Sequence, residues 1–151
     1  LDRKYFIISI IDNGVGIPTT IKKIYESLKD ESDENIIQYA FSPPDKEEIA
    51  KALQDDAKLI ELAHREGVTS KPKTHGGLGL FQLKRFVIEL KGFFDVRSGQ
   101  GLVRFDGRQD KLSIEPRRLC TDKPETPILT GTLISIYLPR KINLERPDRW
   151  V

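Results

Sequence analysis

Residues Thr74–Gly92, with the sequence THGGLGLFQLKRFVIELKG, carry the strongest local signal in the chain. Three glycines surround Leu78, and the residues behind them predict an amphipathic helix that Gly92 ends in the left-handed conformation. The expected apolar face consists of Leu80, Leu83, Phe86, Val87 and Leu90. A glycine-rich loop that leads into a helix offers unpaired backbone N–H groups and a partial positive charge. Taken alone, the stretch is compatible with an ordinary turn before a helix, which is the commoner case, and with a phosphate-binding loop.

The N-terminal region predicts a strand that ends in a tight bend. Residues Tyr5–Ile11 (YFIISII) are a nearly continuous β-branched and aromatic run, which is typical of a strand buried on both faces. The bend Asp12–Pro18 (DNGVGIP) follows, and Thr20 is expected to cap a short helix after it. A carboxylate at the end of a buried strand can accept hydrogen bonds from an amino group of a ligand. The alternative for Asp12 is a plain Asp-Asn-Gly turn.

The remaining pattern predicts further helices and then strands. Residues Asn35–Pro44 allow one or two helical turns, and a helix is expected from Asp45, with Glu48 at a capping-box spacing, to Gly67. Past Gly92 the period of two predicts strands at Phe93–Ser98, Gly101–Phe105, Lys111–Ile114 and Gly131–Pro139, with an irregular connection at Glu115–Pro127. We therefore expect an α/β (α+β) two-layer sandwich. Its open sheet is mixed and mostly antiparallel, with helices on one face.

Composition limits the function classes. The chain has 151 residues, 38% hydrophobic and 32% charged, which fits one globular domain, and its net charge of +2 gives no global signal for nucleic acid. It contains no apolar run long enough for a membrane span and no signal peptide. The single cysteine, Cys120, excludes an internal disulfide and favours the cytoplasm. Since the chain begins at Leu1 and has no methionine, we expect it to be a fragment.

Three glycine-containing boxes in order resemble the GHKL superfamily of ATP-binding domains, which includes sensor histidine kinases, gyrase-type ATPases and Hsp-type chaperones. The first box matches Asp12–Pro18, and the second matches Gly77–Leu80 with the helix behind it. The third resembles Gly131–Thr132, which opens the strand that closes at Pro139. The resemblance covers nearly the whole chain. It implies a Bergerat-type sandwich that binds ATP with Mg²⁺.

The resemblance also implies a role for each matching residue. Asp12 would bind the exocyclic amino group of adenine, directly and through a water that Thr132 also holds. The other implied ligand contacts are Gly14 and Gly16 lining the adenine pocket, Ile17 and Leu80 as apolar walls, backbone N–H groups of Gly76, Gly77, Leu78 and Gly79 on the phosphates, and Lys71 and Lys73 reaching the terminal phosphates. Residues 35–75 would form a lid over the nucleotide, within a domain of residues 1–139 that is followed by a tail of residues 140–151.

Two departures from the family pattern bear on activity. His75 stands where many kinases of the family have a glycine. The helix that supplies the magnesium-binding asparagine and, in the ATPases, a general-base glutamate would lie upstream of Leu1. We therefore expect no catalytic residue and no metal ligand within this fragment, weakened nucleotide binding, and no competent catalysis from the fragment alone.

The first functional hypothesis is a histidine-kinase-like ATP-binding domain that transfers the γ-phosphoryl group to a histidine elsewhere, in a phosphoacceptor domain or a partner protein. The second is an ATPase in which the nucleotide closes a lid or a dimer. The third is a degenerate module that binds no nucleotide. Removal of one helix from the sheet would expose apolar surface, so we also expect either self-association, for example into a homodimer, or marginal stability.

Overall fold

The computed structural model describes residues 5–29, 46–65, 79–108, 113–118 and 128–140. Five strands lie within these ranges: β1 (Tyr5–Asp12), β2 (Phe93–Gly99), β3 (Gly101–Asp106), β4 (Ser113–Arg118) and β5 (Leu129–Pro139). The helices are α1 (Ile17–Lys29), α2 (Lys46–Ala52), α3 (Asp56–Ala63) and α4 (Gly79–Glu89).

The strands form one sheet in the order β1-β5-β2-β3-β4. All four pairings are antiparallel, and β5 lies between β1 and β2 although it is last in the sequence. Helices α3 and α4 pack on one face of the sheet and complete the main core. The predicted two-layer α+β sandwich is confirmed, and every strand pair in the described residues is antiparallel.

The main core lies between β2, β3 and the helices above them. Its fully buried rings, Phe94 and Phe105, stack with their centroids 4.7 Å apart. His64, at the C-terminal end of α3, is also buried, and its ring centroid lies 4.0 Å from that of Phe105. Its Nδ1 donates to the carbonyl oxygen of Ile60 at 2.7 Å. Burial lowers the pKa of His64 to about 4, so the ring is neutral in the folded protein at neutral pH.

The opposite face of the sheet carries an aromatic and ionic group. Phe93 stacks on Tyr137, with centroids 4.3 Å apart, and meets Tyr5 edge-on at 5.4 Å. The guanidinium of Arg104 lies 4.7 Å from the centre of the Phe93 ring. It also donates two hydrogen bonds of 2.7 Å to the carboxylate of Asp95. These contacts cover the first half of β2 without a helix layer.

The prediction for β1 was wrong in one respect. The strand forms, but it is exposed along most of its length, and Ile7 and Ile11 are 63% and 71% exposed. Among the described strands, β1 is at the sheet edge next to β5, and the core helices lie over the other half. A continuous apolar run indicates a strand but does not say whether another element covers it.

Helix boundaries also differ from the predictions. Helix α1 begins at Ile17 rather than after Thr20, whose hydroxyl instead donates to the carbonyl oxygen of Gly16 at 3.0 Å. At the end of α4, Lys91 rather than Gly92 takes the left-handed conformation, with φ +53°. A Cβ atom at Gly92 would lie 2.5 Å from the carbonyl oxygen of Tyr137, so this glycine is needed for close packing.

The single helix expected from Asp45 to Gly67 is divided in two. Asp55 lies between α2 and α3, and its carboxylate accepts hydrogen bonds from the N–H groups of Ala57 and Lys58 at 3.1 and 3.4 Å. This N-cap starts a new helix at Asp56. Glu48, which was expected to complete a capping box, accepts a hydrogen bond of 2.7 Å from Arg65.

Two further expectations about the apolar pattern were wrong. Phe86 was placed on the buried face of α4 but is 47% exposed, whereas Val87 is fully buried. The strand expected at Lys111–Ile114 is β4, Ser113–Arg118, which extends into the segment predicted to be irregular. Among the described strands, β4 lies at the edge of the sheet, where a proline such as Pro116 is tolerated because the missing N–H can face away from the partner strand.

The described part of the expected lid is built into the core. Ile60 packs in the main core, and Ile49, Leu59 and Leu62 form a second core cluster with Ile21 of α1. All four of these isoleucine and leucine side chains in residues 46–65 are at most 4% exposed. This packing differs from a lid that moves as a whole, and the rest of residues 35–75 lies outside the described residues.

In the part of the chain that the structure describes, no helix is both long enough and apolar enough to cross a membrane.

Candidate functional site

The candidate site begins at Asp12, the last residue of β1. Its Oδ1 accepts a hydrogen bond of 3.1 Å from the backbone N–H of Gly14, which forms the turn expected for an Asp-Asn-Gly sequence. The residue is exposed. The turn uses only Oδ1. The other oxygen, Oδ2, makes no hydrogen bond to a described residue and can accept one from a ligand. The turn and the ligand interpretations of Asp12 are therefore compatible.

Three polar residues lie side by side on neighbouring strands, at the end of the sheet where β1 finishes. Thr132 of β5 is the register partner of Asp12 on β1 and also of Ser98 on β2. Direct register partners in antiparallel strands point to the same face, so the three side chains are neighbours on the helix-covered face. Exposure falls along the row, since Asp12 is exposed, Thr132 is 9% exposed and Ser98 is fully buried.

Ser98 joins the ends of several elements. Its hydroxyl donates to the carbonyl oxygen of Gly131, near the start of β5, at 2.6 Å. The same oxygen accepts a hydrogen bond of 3.0 Å from the N–H of Ile17, the first residue of α1. It also lies 3.3 Å from Oγ1 of Thr132. Ser98 thus satisfies one of the unpaired N–H groups at the start of α1 and fixes that start to the sheet.

Two glycines allow the close approach of these segments. Gly16 has φ +83°, and a Cβ atom there would lie 2.8 Å from Oγ of Ser98 and 3.0 Å from the carbonyl oxygen of Gly131. Gly131 has φ +98°, and a Cβ atom there would collide with the backbone carbonyl of Asp12. Both positions need a left-handed backbone and the space that glycine leaves. The first and third glycine boxes of the sequence therefore meet in space.

Asp56 holds the neighbouring hairpin in place. Its Oδ2 accepts a hydrogen bond of 2.9 Å from the backbone N–H of Gln100, in the turn between β2 and β3. Its Oδ1 accepts one of 3.2 Å from Nζ of Lys22 on α1. One carboxylate at the start of α3 thereby links the hairpin to α1, close to the end of the bend Asp12–Pro18.

The structure places the other predicted residues in two groups. Gly79 and Leu80 start α4, where Gly79 is exposed and no atom lies within 4 Å of an added Cβ. Leu80 packs against the second core cluster, and Ile17 packs against both clusters, so each side chain contributes to packing. The remaining predicted contacts, Lys71, Lys73, Gly76, Gly77 and Leu78, lie outside the described residues.

Sequence analysis missed Ser98 and Asp56 as residues that shape the site. For Ser98 a signal was present: Phe94, Val96 and Ser98 alternate in β2, so the period of two places the serine on the buried face. A polar side chain at a core position needs hydrogen-bond partners, which marks it as part of a network. For Asp56 no comparable signal exists, because its partners are distant in the sequence.

Comparisons with protein-family profiles, curated proteins and solved structures found no match for this chain. The ends of β1, β2 and β5 bring three features together: the exposed carboxylate of Asp12, the hydroxyl of its register partner Thr132, and Gly14, where an added Cβ atom would lie 3.0 Å from Asp12 Oδ2.

Proposed function

We propose that this chain is the ATP-binding domain of a histidine-kinase-like protein of the GHKL type. The γ-phosphoryl group of ATP would pass to a histidine outside residues 1–151, with ADP as the product. The observation that carries the proposal is the row of Asp12, Thr132 and Ser98 across three strands, next to the glycine bend. It would give a purine ring a polar edge to bind, beside a glycine at position 14 that has no side chain to cover the Asp12 carboxylate.

Asp12 Oδ2, which makes no hydrogen bond to a described residue, fits the exocyclic amino group of adenine. Asp12 Oδ2 accepts hydrogen bonds only, and the exocyclic amino group of adenine donates them. A Cβ atom at Gly14 would lie 3.0 Å from this Oδ2, so a side chain there would crowd the approach. Gly14 and Gly16 therefore serve the adenine contact in different ways: the first leaves the carboxylate open, and the second permits the bend.

The phosphate end of the proposed site includes the N-terminus of α4. Gly79 is exposed at the N-terminus of α4, where backbone N–H groups and the helix dipole favour an anion. The proposal assigns phosphate contacts to Gly76–Gly79 and to Lys71 and Lys73, of which only Gly79 is described. Mg²⁺ would neutralise charge on the transferred phosphoryl group, and its protein ligand would come from outside residues 1–151.

The packing of residues 46–65 disfavours an ATPase in which this segment closes as a rigid lid. Moving this segment as a rigid lid would expose Leu59 and Ile60, which are fully buried. Exposing two such side chains would cost about 3–6 kcal/mol. A kinase of this type needs ATP to be positioned for a second domain, and it does not need that movement.

The test is titration of the chain with a slowly hydrolysed ATP analogue in the presence of Mg²⁺, comparing the wild type with Asp12→Asn. Loss of a hydrogen bond to a charged acceptor is expected to weaken binding by about 10- to 100-fold. Glu26→Gln is the matched control, because it removes the same charge from an exposed position on α1 and should leave binding unchanged.

Unchanged affinity in Asp12→Asn would place the nucleotide elsewhere and overturn the assignment. No binding to the folded wild-type protein would instead favour the degenerate module. Folding of each protein is checked by circular dichroism before the titration.

A further inference from the structure

An exposed carboxylate does not by itself distinguish one purine from another. Asp12 can accept a hydrogen bond from the 6-amino group of adenine, but it can equally accept one from the N1–H of a 6-oxo purine. The discrimination must come from the group beside it. That group is the hydroxyl of Thr132, the register partner of Asp12 on β5.

Among the described residues, the Thr132 hydroxyl has one hydrogen-bond contact, with Ser98, and the other hydrogen bonds of Ser98 decide which of the two hydroxyl groups donates. A serine hydroxyl has one proton to donate and two lone pairs. The Ser98 proton goes to the carbonyl oxygen of Gly131 at 2.6 Å, and one lone pair accepts the N–H of Ile17 at 3.0 Å. Only an acceptor site remains for Thr132, whose Oγ1 lies 3.3 Å away. Thr132 must therefore be the donor in this contact.

The consequence for a ligand is that Thr132 turns its lone pairs toward the site. Asp12 and Thr132 together then present acceptors only. The 6-amino group of adenine, which carries two protons, satisfies such a pair. The 6-oxo group of hypoxanthine brings a third acceptor next to Thr132 and would need the hydroxyl to turn round and break its bond to Ser98.

We infer that Ser98 is a positioning residue that makes the site specific for 6-amino purines by fixing the direction of the Thr132 hydroxyl. This inference rests on the proposed nucleotide site. It adds a residue that the three glycine boxes do not include and that would not touch the ligand.

The size of the effect follows from the geometry. At 3.3 Å the contact between Ser98 and Thr132 is longer than the usual 2.7–2.8 Å for two hydroxyl groups, so it is a weak hydrogen bond. Its loss should relax the preference without abolishing binding. A neutral hydrogen bond contributes about 0.5–1.5 kcal/mol, which corresponds to a change in the affinity ratio of about 2- to 13-fold.

The experiment measures the Kd of the 151-residue chain for ATP and for inosine triphosphate, both with Mg²⁺. Inosine triphosphate differs from ATP only in having a 6-oxo group and a proton on N1. The wild type is expected to prefer ATP by about tenfold or more, the value of a mismatched polar group. In Ser98→Ala the ratio of the two Kd values should fall about 2- to 13-fold, chiefly through tighter binding of inosine triphosphate.

Ser135→Ala is the matched control. It removes a hydroxyl from the same strand as Thr132, but Ser135 is the register partner of Ser9 and Asp95, on the opposite face, so the ratio should not change. A general loss of stability would weaken both ligands alike and leave the ratio where it was. The ratio therefore reports positioning rather than folding.

Thr132→Val provides a second route if Ser98→Ala does not fold. It leaves both strong hydrogen bonds of Ser98 intact and removes the hydroxyl, and it should also lower the preference for ATP. An unchanged ratio in folded Ser98→Ala, or in Thr132→Val, would overturn the inference while the ATP site stood. A folded wild type that binds neither nucleotide would overturn the proposed function itself, and this inference with it.

Discussion

The two halves of the sheet use similar sequences in different ways. Strands β2 and β3 place Phe94, Val96, Val103 and Phe105 on the helix-covered face, and all four side chains are fully buried. On β1, the corresponding face carries Phe6, Ile8 and Ile10, which are 54%, 48% and 49% exposed. One half of the sheet therefore provides stability. The candidate site lies where the covered half meets the open one.

This difference explains why Asp12 is accessible while the rest of its row is buried. Ser98 lies under the start of α1 and its hydrogen bonds are internal, whereas Asp12 lies on the edge strand of the described sheet, and its Oδ2 makes no hydrogen bond to a described residue. A ligand that binds there gains fixed polar groups from the covered half and space from the open half. Fixed groups beside an accessible one are what a binding site requires.

The largest expected effect is on the free energy of unfolding, and it compares one substitution on β2 with one on β1. Phe94→Ala should lower the free energy of unfolding by about 3–5 kcal/mol, because it leaves a cavity beside Phe105 and His64. Phe6→Ala on β1 should cost about 1 kcal/mol, since 54% of the residue is already exposed. Urea unfolding followed by circular dichroism measures both. Equal losses would show that β1 is covered in solution as well as β2.

A second prediction uses the buried histidine of the covered half. Burial, together with the charge of Lys84, holds the pKa of His64 at about 4, against about 6.5 in the unfolded chain. The unfolded state therefore binds more protons between these two values, and the free energy of unfolding falls as the pH is lowered through them. Full protonation should remove about 3 kcal/mol, whereas the contribution is complete above pH 6.5.

The control for this prediction is His64→Phe, which keeps a ring against Phe105 and cannot be protonated. Carboxylates titrate in the same range in both proteins, so the difference between the two stability curves isolates the histidine. The difference should appear between pH 6.5 and 4. Parallel curves throughout this interval would show that His64 is not buried as a neutral ring.

The sequence predicted most elements because local patterns determine them. The period of two located β2, β3 and β5, and the bend after Asp12 and the helix after Gly79 formed where they were expected. What local patterns could not predict is which element covers which. The apolar run of β1 looked buried because its residue types suit a core, but its neighbours in space depend on the order of strands in the sheet.

The same limit applies to the site. Asp12, Gly14, Gly16 and Thr132 were identified through the resemblance of the glycine boxes to a known family, and the structure brings them together at the ends of β1 and β5. The helix expected from Asp45 to Gly67 is divided into α2 and α3 by Asp55, and the capping role of this residue is visible only once the backbone conformation is known. The links through Ser98 and Asp56 join residues separated by between 33 and 81 positions, which no local pattern records.

The smallest expected effect tests whether β1 is exposed to solvent on the face opposite to Phe6, Ile8 and Ile10. Ile11→Thr, at a position 71% exposed, should change the free energy of unfolding by no more than about 0.5 kcal/mol. Val103→Thr introduces the same side chain at a fully buried position on β3, and it should cost about 1–3 kcal/mol because the new hydroxyl lacks a partner.

Sedimentation of each variant over a range of concentrations shows whether self-association contributes. If Ile11→Thr costs as much as Val103→Thr and the cost depends on concentration, a second copy of the chain covers β1. If the cost is large at every concentration, a segment of the same chain covers it.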